Sequence, residues 1–274
     1  MHSLTRSFLA VALLASVSAA HAHRTWLLPS AAQVDGKDPW VTVDAAVSED
    51  LFELGANALK LDGLNITDPD GGSVQPNQTF TGRYRSSLDL KLAKSGTYRI
   101  SLVSETAMAS YKLNGEMKRW RGNVADLKKE IPAGAEELAV STTLGRLETF
   151  VTAGKPNATV LKPVGNGLEL IPLDHPSEFL AGQPARFRLL LDGKPLPGLT
   201  VAVVPGGVKY RGVLKETALT TDAKGEFTVN WPMPQMYWIN AGYPARVTVP
   251  EGQPRPPMPA KRYNYSGTFE VLPQ

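Results

Sequence analysis

Apolar and polar residues alternate with a period of two along most of this chain, and that pattern decides its fold class. Val41, Val43 and Ala45 alternate with Thr42, Asp44 and Ala46. Leu88, Leu90 and Leu92 alternate with Asp89 and Lys91, and Tyr98, Ile100 and Leu102 repeat the pattern. Successive side chains of a strand point to opposite faces, so each run buries one face and wets the other. Phe187, Leu189 and Leu191 lead into Asp192-Gly193, a hairpin turn signal, with Leu199, Val201 and Val203 expected as the return strand. Asp222-Ala223-Lys224-Gly225 predicts another turn before Phe227, Val229 and Trp231. The 24 glycines and 22 prolines punctuate the chain at the spacing of short strands. Only Asn123 to Ile131 reads as helical. The expected fold is all-β, two sandwich-like domains with no α/β layer.

The first residues read as an export signal. Arg6 supplies the positive charge, Phe8 to Val17 form a short apolar core, and Ala20-His21-Ala22 offers an A-x-A processing site. That core is shorter than the roughly 20 apolar residues a membrane helix needs, and no later run approaches that length. The expected organisation is a signal peptide over 1–22, a first sandwich over 23–160 and a second, transthyretin- or immunoglobulin-like β domain over 165–274. Gly, Pro and Asn cluster between 154 and 167 to mark the boundary. The mature chain is expected in the periplasm or outside the cell, with no membrane span. It has no cysteine, so its core must stabilise it without disulfides.

Lys and Arg number 29 against 26 Asp and Glu, and they are dispersed. The densest group, Lys118-Arg119-Trp120-Arg121, is too short to argue for nucleic acid and reads as a solvated strand or loop edge. Pro254, Pro256, Pro257 and Pro259 predict an extended loop. The sequons at Asn65, Asn77, Asn157 and Asn264 matter only in a glycosylating host.

Several segments resemble one family: the opening HRTWLLPS, the segment PWVTVDAAVSEDLF, and above all GLELIPLDHPSEFLAGQPARFRLLLDGKPLPGLTVAVVPGG with TTDAKGEFTVNWPMPQMYWINA. Together they are similar to the domain-of-unknown-function 4198 family over nearly the whole mature chain. The resemblance implies a periplasmic protein associated with uptake of nickel or another metal. The second half also resembles transthyretin-like and carboxypeptidase-regulatory-like domains in its DGKPLPG and TDAKGEF turns.

Histidines stand at positions 2, 21, 23 and 175. Processing after Ala22 makes His23 the first residue, so its α-amine and Nδ1 can close a chelate ring on one metal. A second imidazole from His175 would complete a three-nitrogen brace. Processing after Ala20 instead places His23 third, behind a free amine and two backbone amides. Both arrangements suit Cu(II) or Ni(II). The competing reading makes His175 a loop histidine bonded to backbone, and a new terminus is often unstructured. Met233 and Met236 are soft donors that more often serve packing. Asp44, Glu49, Asp50 and Glu53 could add oxygen ligands, although they read first as turn solvation. Asp68-Pro69-Asp70-Gly71-Gly72 lacks the further acids of a calcium loop. No G-x-S-x-G elbow, H-E-x-x-H helix or P-loop is present, so hydrolytic catalysis finds little support, and whether the chain is an enzyme stays open, with a non-enzyme favoured.

The primary expectation is therefore an exported metal-binding accessory protein, carrying a copper or nickel ion on His23 and His175. Its partner would be an envelope metal transporter or outer-membrane receptor. The alternatives are a non-catalytic envelope module recognising a glycan, peptide or protein, and a histidine-brace copper oxidase.

Overall fold

The computed structural model describes residues 23–245, 247, 249, 252–253 and 256–274. The signal peptide, its cleavage sites, His2, His21 and Pro254 lie outside the described residues. The first half of the chain forms β1 (Arg24–Pro29), β2 (Gln33–Val34), β3 (Trp40–Ser48), β4 (Asn57–Ala58), β5 (Leu64–Thr67), β6 (Ser73–Val74), β7 (Gln78–Thr81), β8 (Ser86–Lys91) and β9 (Gly96–Leu113). Next come β10 (Glu116–Asn123), the short helix α1 (Leu127–Glu130) and β11 (Glu136–Ala153). The second half contributes β12 (Leu168–Pro172), β13 (Pro184–Leu191), β14 (Lys194–Pro195), β15 (Thr200–Pro205), α2 (Val208–Arg211), β16 (Thr217–Thr220), β17 (Glu226–Asn230), β18 (Gln235–Tyr243) and β19 (Lys261–Val271). Among the described residues, no helix is long and apolar enough to cross a membrane.

The strands build three sheets. A first sheet runs β1-β3-β8-β7, with β4 on β3. A central sheet of ten strands runs β16-β15-β18-β19-β11-β9-β5-β6, with β10 on β9 and β2 on β11. A third runs β12-β13-β14, with β17 on β13. The first core lies between the first and central sheets, where Leu27, Val41, Val43, Ala45, Leu88 and Leu90 meet Tyr98, Ile100, Leu102, Leu147 and Val151. The second lies between the third and central sheets. There Phe179, Phe187, Leu189 and Trp231 meet Val203, Tyr237, Ile239, Tyr265 and Phe269, with ring centroids 4.8 Å apart for Trp231–Tyr237 and 5.5 Å for Phe179–Trp231. A smaller cluster of Trp26, Ala46, Leu51, Val204, Val208 and Trp238 joins the two halves. The fold is the expected all-β sandwich, and Asn123–Ile131 supplies the expected short helical segment.

One strand pairing departs from the sequence reading. The Asp192-Gly193 turn forms, with φ of 48° and 76° as a type I′ hairpin requires, but its return strand is only β14, paired at Leu190↔Pro195 and Leu191↔Lys194. The Val201–Val203 run crosses to the central sheet and pairs with β18 instead, so its apolar face covers the same core from the opposite side. The halves also share hydrogen bonds. β11, from the first half, pairs in parallel with β19, from Thr142↔Lys261 to Thr149↔Thr268. A parallel pairing of distant segments leaves no local signature, because no turn joins the strands.

Candidate functional site

His23 stands at the outer end of β1, next to the Arg24↔Ser48 pair that begins the β1–β3 ladder. The turn after β3 brings acids beside it. An open cleft of about 550 Å³ is lined by His23, Glu49, Asp50, Glu53, Asn57 and Lys209, among others. His23 Nε2 lies 3.9 Å from Glu49 Oε1, both side chains more than half exposed. Lys209 Nζ approaches Glu53 Oε2 at 3.6 Å and takes up part of the negative charge. Asp44 is not part of this cleft; its carboxylate accepts from Ser87 Oγ and from Arg85 Nη1.

His175 is placed differently. It follows β12 and caps the 3-10 turn Pro176–Glu178. The Ser177 backbone N–H donates to His175 Nδ1 at 3.2 Å, and the Ser177 hydroxyl lies 2.7 Å from the same nitrogen. Nε2 faces the Asn157 carbonyl at 3.0 Å and Thr97 Oγ1 at 3.1 Å. The tautomer that satisfies this set carries its proton on Nε2 and donates it to Asn157. Both ring nitrogens are thus committed to the protein. The neighbouring Asp174 is also occupied: Arg186 donates to it from backbone N, Nε and Nη2, and these bonds hold its carboxyl below the usual range.

The fold does not bring the two histidines together. From His23 to Pro29 the chain runs about 20 Å in extended form. The His175 loop meets the chain beyond that far end, where Gln33 Nε2 donates to the Ser177 carbonyl. A shared ion needs both nitrogens within about 2.0–2.1 Å of it, so these residues do not fit the two-histidine centre expected from the sequence. Among the described residues, no three His, Cys, Asp or Glu side chains form a group that could hold a metal.

The remaining candidates resolve into packing and turns. Tyr237 Oη donates to the Met233 carbonyl at 2.9 Å and closes the turn that carries Met233, whose side chain is exposed. Asp68 accepts from the backbone N–H groups of Asp70 and Gly72 and from Lys94 Nζ, which also reaches Asp70 at 2.7 Å. A lysine ammonium therefore sits between the two aspartates, where a cation site would need its ion. The Lys94 bond holds the Asp68 carboxyl below its ordinary range, and both aspartates push the Lys94 ammonium up.

Two polar features escaped the sequence reading. Arg146 and Glu148 are buried side by side on β11; their period-two spacing reads as a wet strand face. The outer face of the first sheet carries Trp40, Thr42 and Asp44 from β3, Ser87, Asp89 and Lys91 from β8, and Phe80 from β7. Thr42 Oγ1 donates to Asp89 Oδ1 at 2.6 Å, and Lys91 bridges Asp38 at 2.7 Å. Trp40 is 45% and Phe80 63% exposed. The alternation Trp40-Val41-Thr42-Val43-Asp44 already placed Trp40 on the polar side, which was the available signal.

Among solved structures, the chain is similar to the D0–D1 domain of intimin at 10% identity, over 90% of this chain and 97% of that one, with a TM-score of 0.23. It is similar to Escherichia coli alpha-2-macroglobulin activated by porcine elastase at 9% identity, over 92% of this chain and 31% of that one, with a TM-score of 0.23. Chicken CNTN1 FN1–FN3 domains align at 6% identity over 81% and 93%, with a TM-score of 0.20. No curated protein matches the sequence. A family model described as a domain of unknown function (DUF4198) matches residues 20–245, and the chain belongs to that family.

Proposed function

We propose that the chain is exported and acts outside the cytoplasm as a non-catalytic binding module, recognising a glycan on the outer face of its first sheet. The observation that carries this reading is the pairing of exposed rings with an ordered polar row. Strand and ladder spacings place Trp40 and Phe80 about 16 Å apart, with Thr42, Asp44, Ser87 and Asp89 between them. Aromatic faces stack on the apolar faces of sugar rings, and fixed carboxylates and hydroxyls accept and donate to sugar hydroxyls. Affinity electrophoresis through gels containing neutral and acidic polysaccharides tests it. Retardation by at least one polysaccharide that disappears in Trp40→Ala and Phe80→Ala supports the reading; equal retardation of wild type and variants overturns it.

A second reading rests on His23 alone. If the leader is removed after Ala22, its amine and imidazole form a chelate, and the Glu49 carboxylate, 3.9 Å from the ring, offers an oxygen donor for Cu(II) or Ni(II). The protein would then hand the ion to an envelope transporter or receptor. Metal titration of the processed protein separates the histidines: affinity falls in His23→Ala and stays unchanged in His175→Ala. Loss in His175→Ala would contradict this one-histidine site.

A further inference from the structure

β9 and β11 are each 18 residues long, and the sandwich cores draw mainly on one half of each, with Leu144 also packing on the second core. The other halves, 104–113 and 136–145, continue as an arm to which β10 adds a third strand, paired from Glu116↔Leu113 to Asn123↔Thr106. One side of the arm buries Ala107, Ala109 and Tyr111. Trp120 shares that side, and its Nε1 donates to Glu130 Oε2 of α1 at 2.6 Å. Gly122 leaves room for this ring, since a Cβ would lie 2.5 Å from Trp120 Cζ2.

The opposite side is different in chemistry. Register and alternation place Arg119, Arg121 and Met117 of β10 beside Ser110, Met108 and Lys112 of β9, with Arg262 of β19 next to Thr143. Arg119, Arg121 and Arg262 are exposed, and among the described residues no ion pair engages them. Among the described residues, the carboxylates on this side are Glu136 and Glu137 near the tip, and Glu137 is held by Lys112 at 2.6 Å. Met108, opposite Arg121, is 39% exposed, and Met117, next along β10 from Arg119, is 59% exposed. Ser141 is covered by the 256–260 segment, where its hydroxyl donates to the Pro259 carbonyl at 2.6 Å.

We infer that this side of the arm docks on the phosphate layer of an anionic lipid surface. Three exposed guanidinium groups on one sheet face, without an ion pair among the described residues, match a layer of phosphates, which arginine pairs in two-point fashion. The methionines beside them supply flexible apolar contact at the headgroup boundary. The face is distinct from the Trp40–Phe80 surface, so either assignment can fail without the other.

Flotation of the full chain with phosphatidylcholine vesicles, with and without phosphatidylglycerol, tests the inference. Binding is expected only with phosphatidylglycerol, with reversal by salt. The Arg119→Gln/Arg121→Gln variant should lose at least about tenfold in partitioning, as two cations near an anionic surface imply. Arg262→Gln should lose about fivefold, Lys224→Ala on a distant turn should lose nothing, and Trp40→Ala should bind as wild type. An unchanged thermal transition in each variant shows that it is folded. Equal binding to both vesicle types, no binding by wild type, undiminished binding by the double variant, or binding of an acidic peptide without vesicle binding overturns the inference.

Discussion

Arg146 Nη1 donates to Glu148 Oε1 at 3.2 Å, with both side chains more than nine-tenths buried on the strand that the two halves share. Arg146 Nη2 also donates to the Asn166 carbonyl at 3.1 Å. Burial pushes the Glu148 carboxyl above its ordinary 4.5, against the pull of Arg146 and Arg99. A raised carboxyl contributes stability that is complete below the unfolded value and is lost as pH rises through the folded one. Arg146→Met removes the counter-charge and raises that carboxyl further. The variant should lose about 3–5 kcal/mol at neutral pH and much less below pH 4.5, where Glu148 is protonated. Urea denaturation at both pH values measures the difference, and an equal loss at both would assign the cost to packing instead.

Asp68 works in the opposite direction. Its carboxyl is lowered chiefly by the Lys94 bond and further by the Gly72 and Asp70 backbone bonds. This contribution is present above the ordinary 3.8 and is lost as pH falls through the depressed value. Asp68→Ala leaves two turn N–H groups unbonded and should cost about 1–2 kcal/mol at neutral pH. At a pH well below the folded value the variant and wild type should converge, which acid titration followed by circular dichroism reads directly.

His175 caps a turn through Nδ1. His175→Ala should cost about 1–2 kcal/mol, and His175→Asn, which keeps an acceptor for the Ser177 N–H, should recover part of it. Thermal melts of the three proteins decide. A stability unaffected by alanine would argue that the capping bonds carry no weight.

Gly225 ends the Asp222 turn with φ of 73°. A Cβ there would stand 2.6 Å from the Leu189 carbonyl oxygen and 2.9 Å from the Leu196 nitrogen. Gly225→Ala should therefore lose about 1–3 kcal/mol, more than the few tenths typical of an exposed turn, and chemical denaturation checks it. Asp222 prepares this turn by accepting from the N–H groups of Lys224 and Glu226 at 2.8 Å each.

The local signals in the chain proved faithful where neighbours in sequence are neighbours in space. Phe187-Arg188-Leu189 became a strand with one buried face, Asp192-Gly193 became a type I′ turn, and Asn123–Ile131 became a short helical segment. Where a side chain depends on distant partners, the same signals misled. Arg146-Leu147-Glu148 alternates as a half-wet strand should, yet the third sheet covers its polar face. The Val201–Val203 run reads as the partner of Phe187–Leu191, yet it crosses the core to pair with β18.

Amino-acid order alone settled the fold class and the turns, because backbone conformation and the two faces of a strand are decided within a few residues. Only the folded chain settled which strands meet, and hence that His23 lies beside Glu49 while the His175 ring faces Thr97 and Asn157, and that Trp40 and Phe80 share a face. Contacts between segments far apart in the chain follow from the register and crossing of whole sheets, which no short stretch of residues encodes by itself.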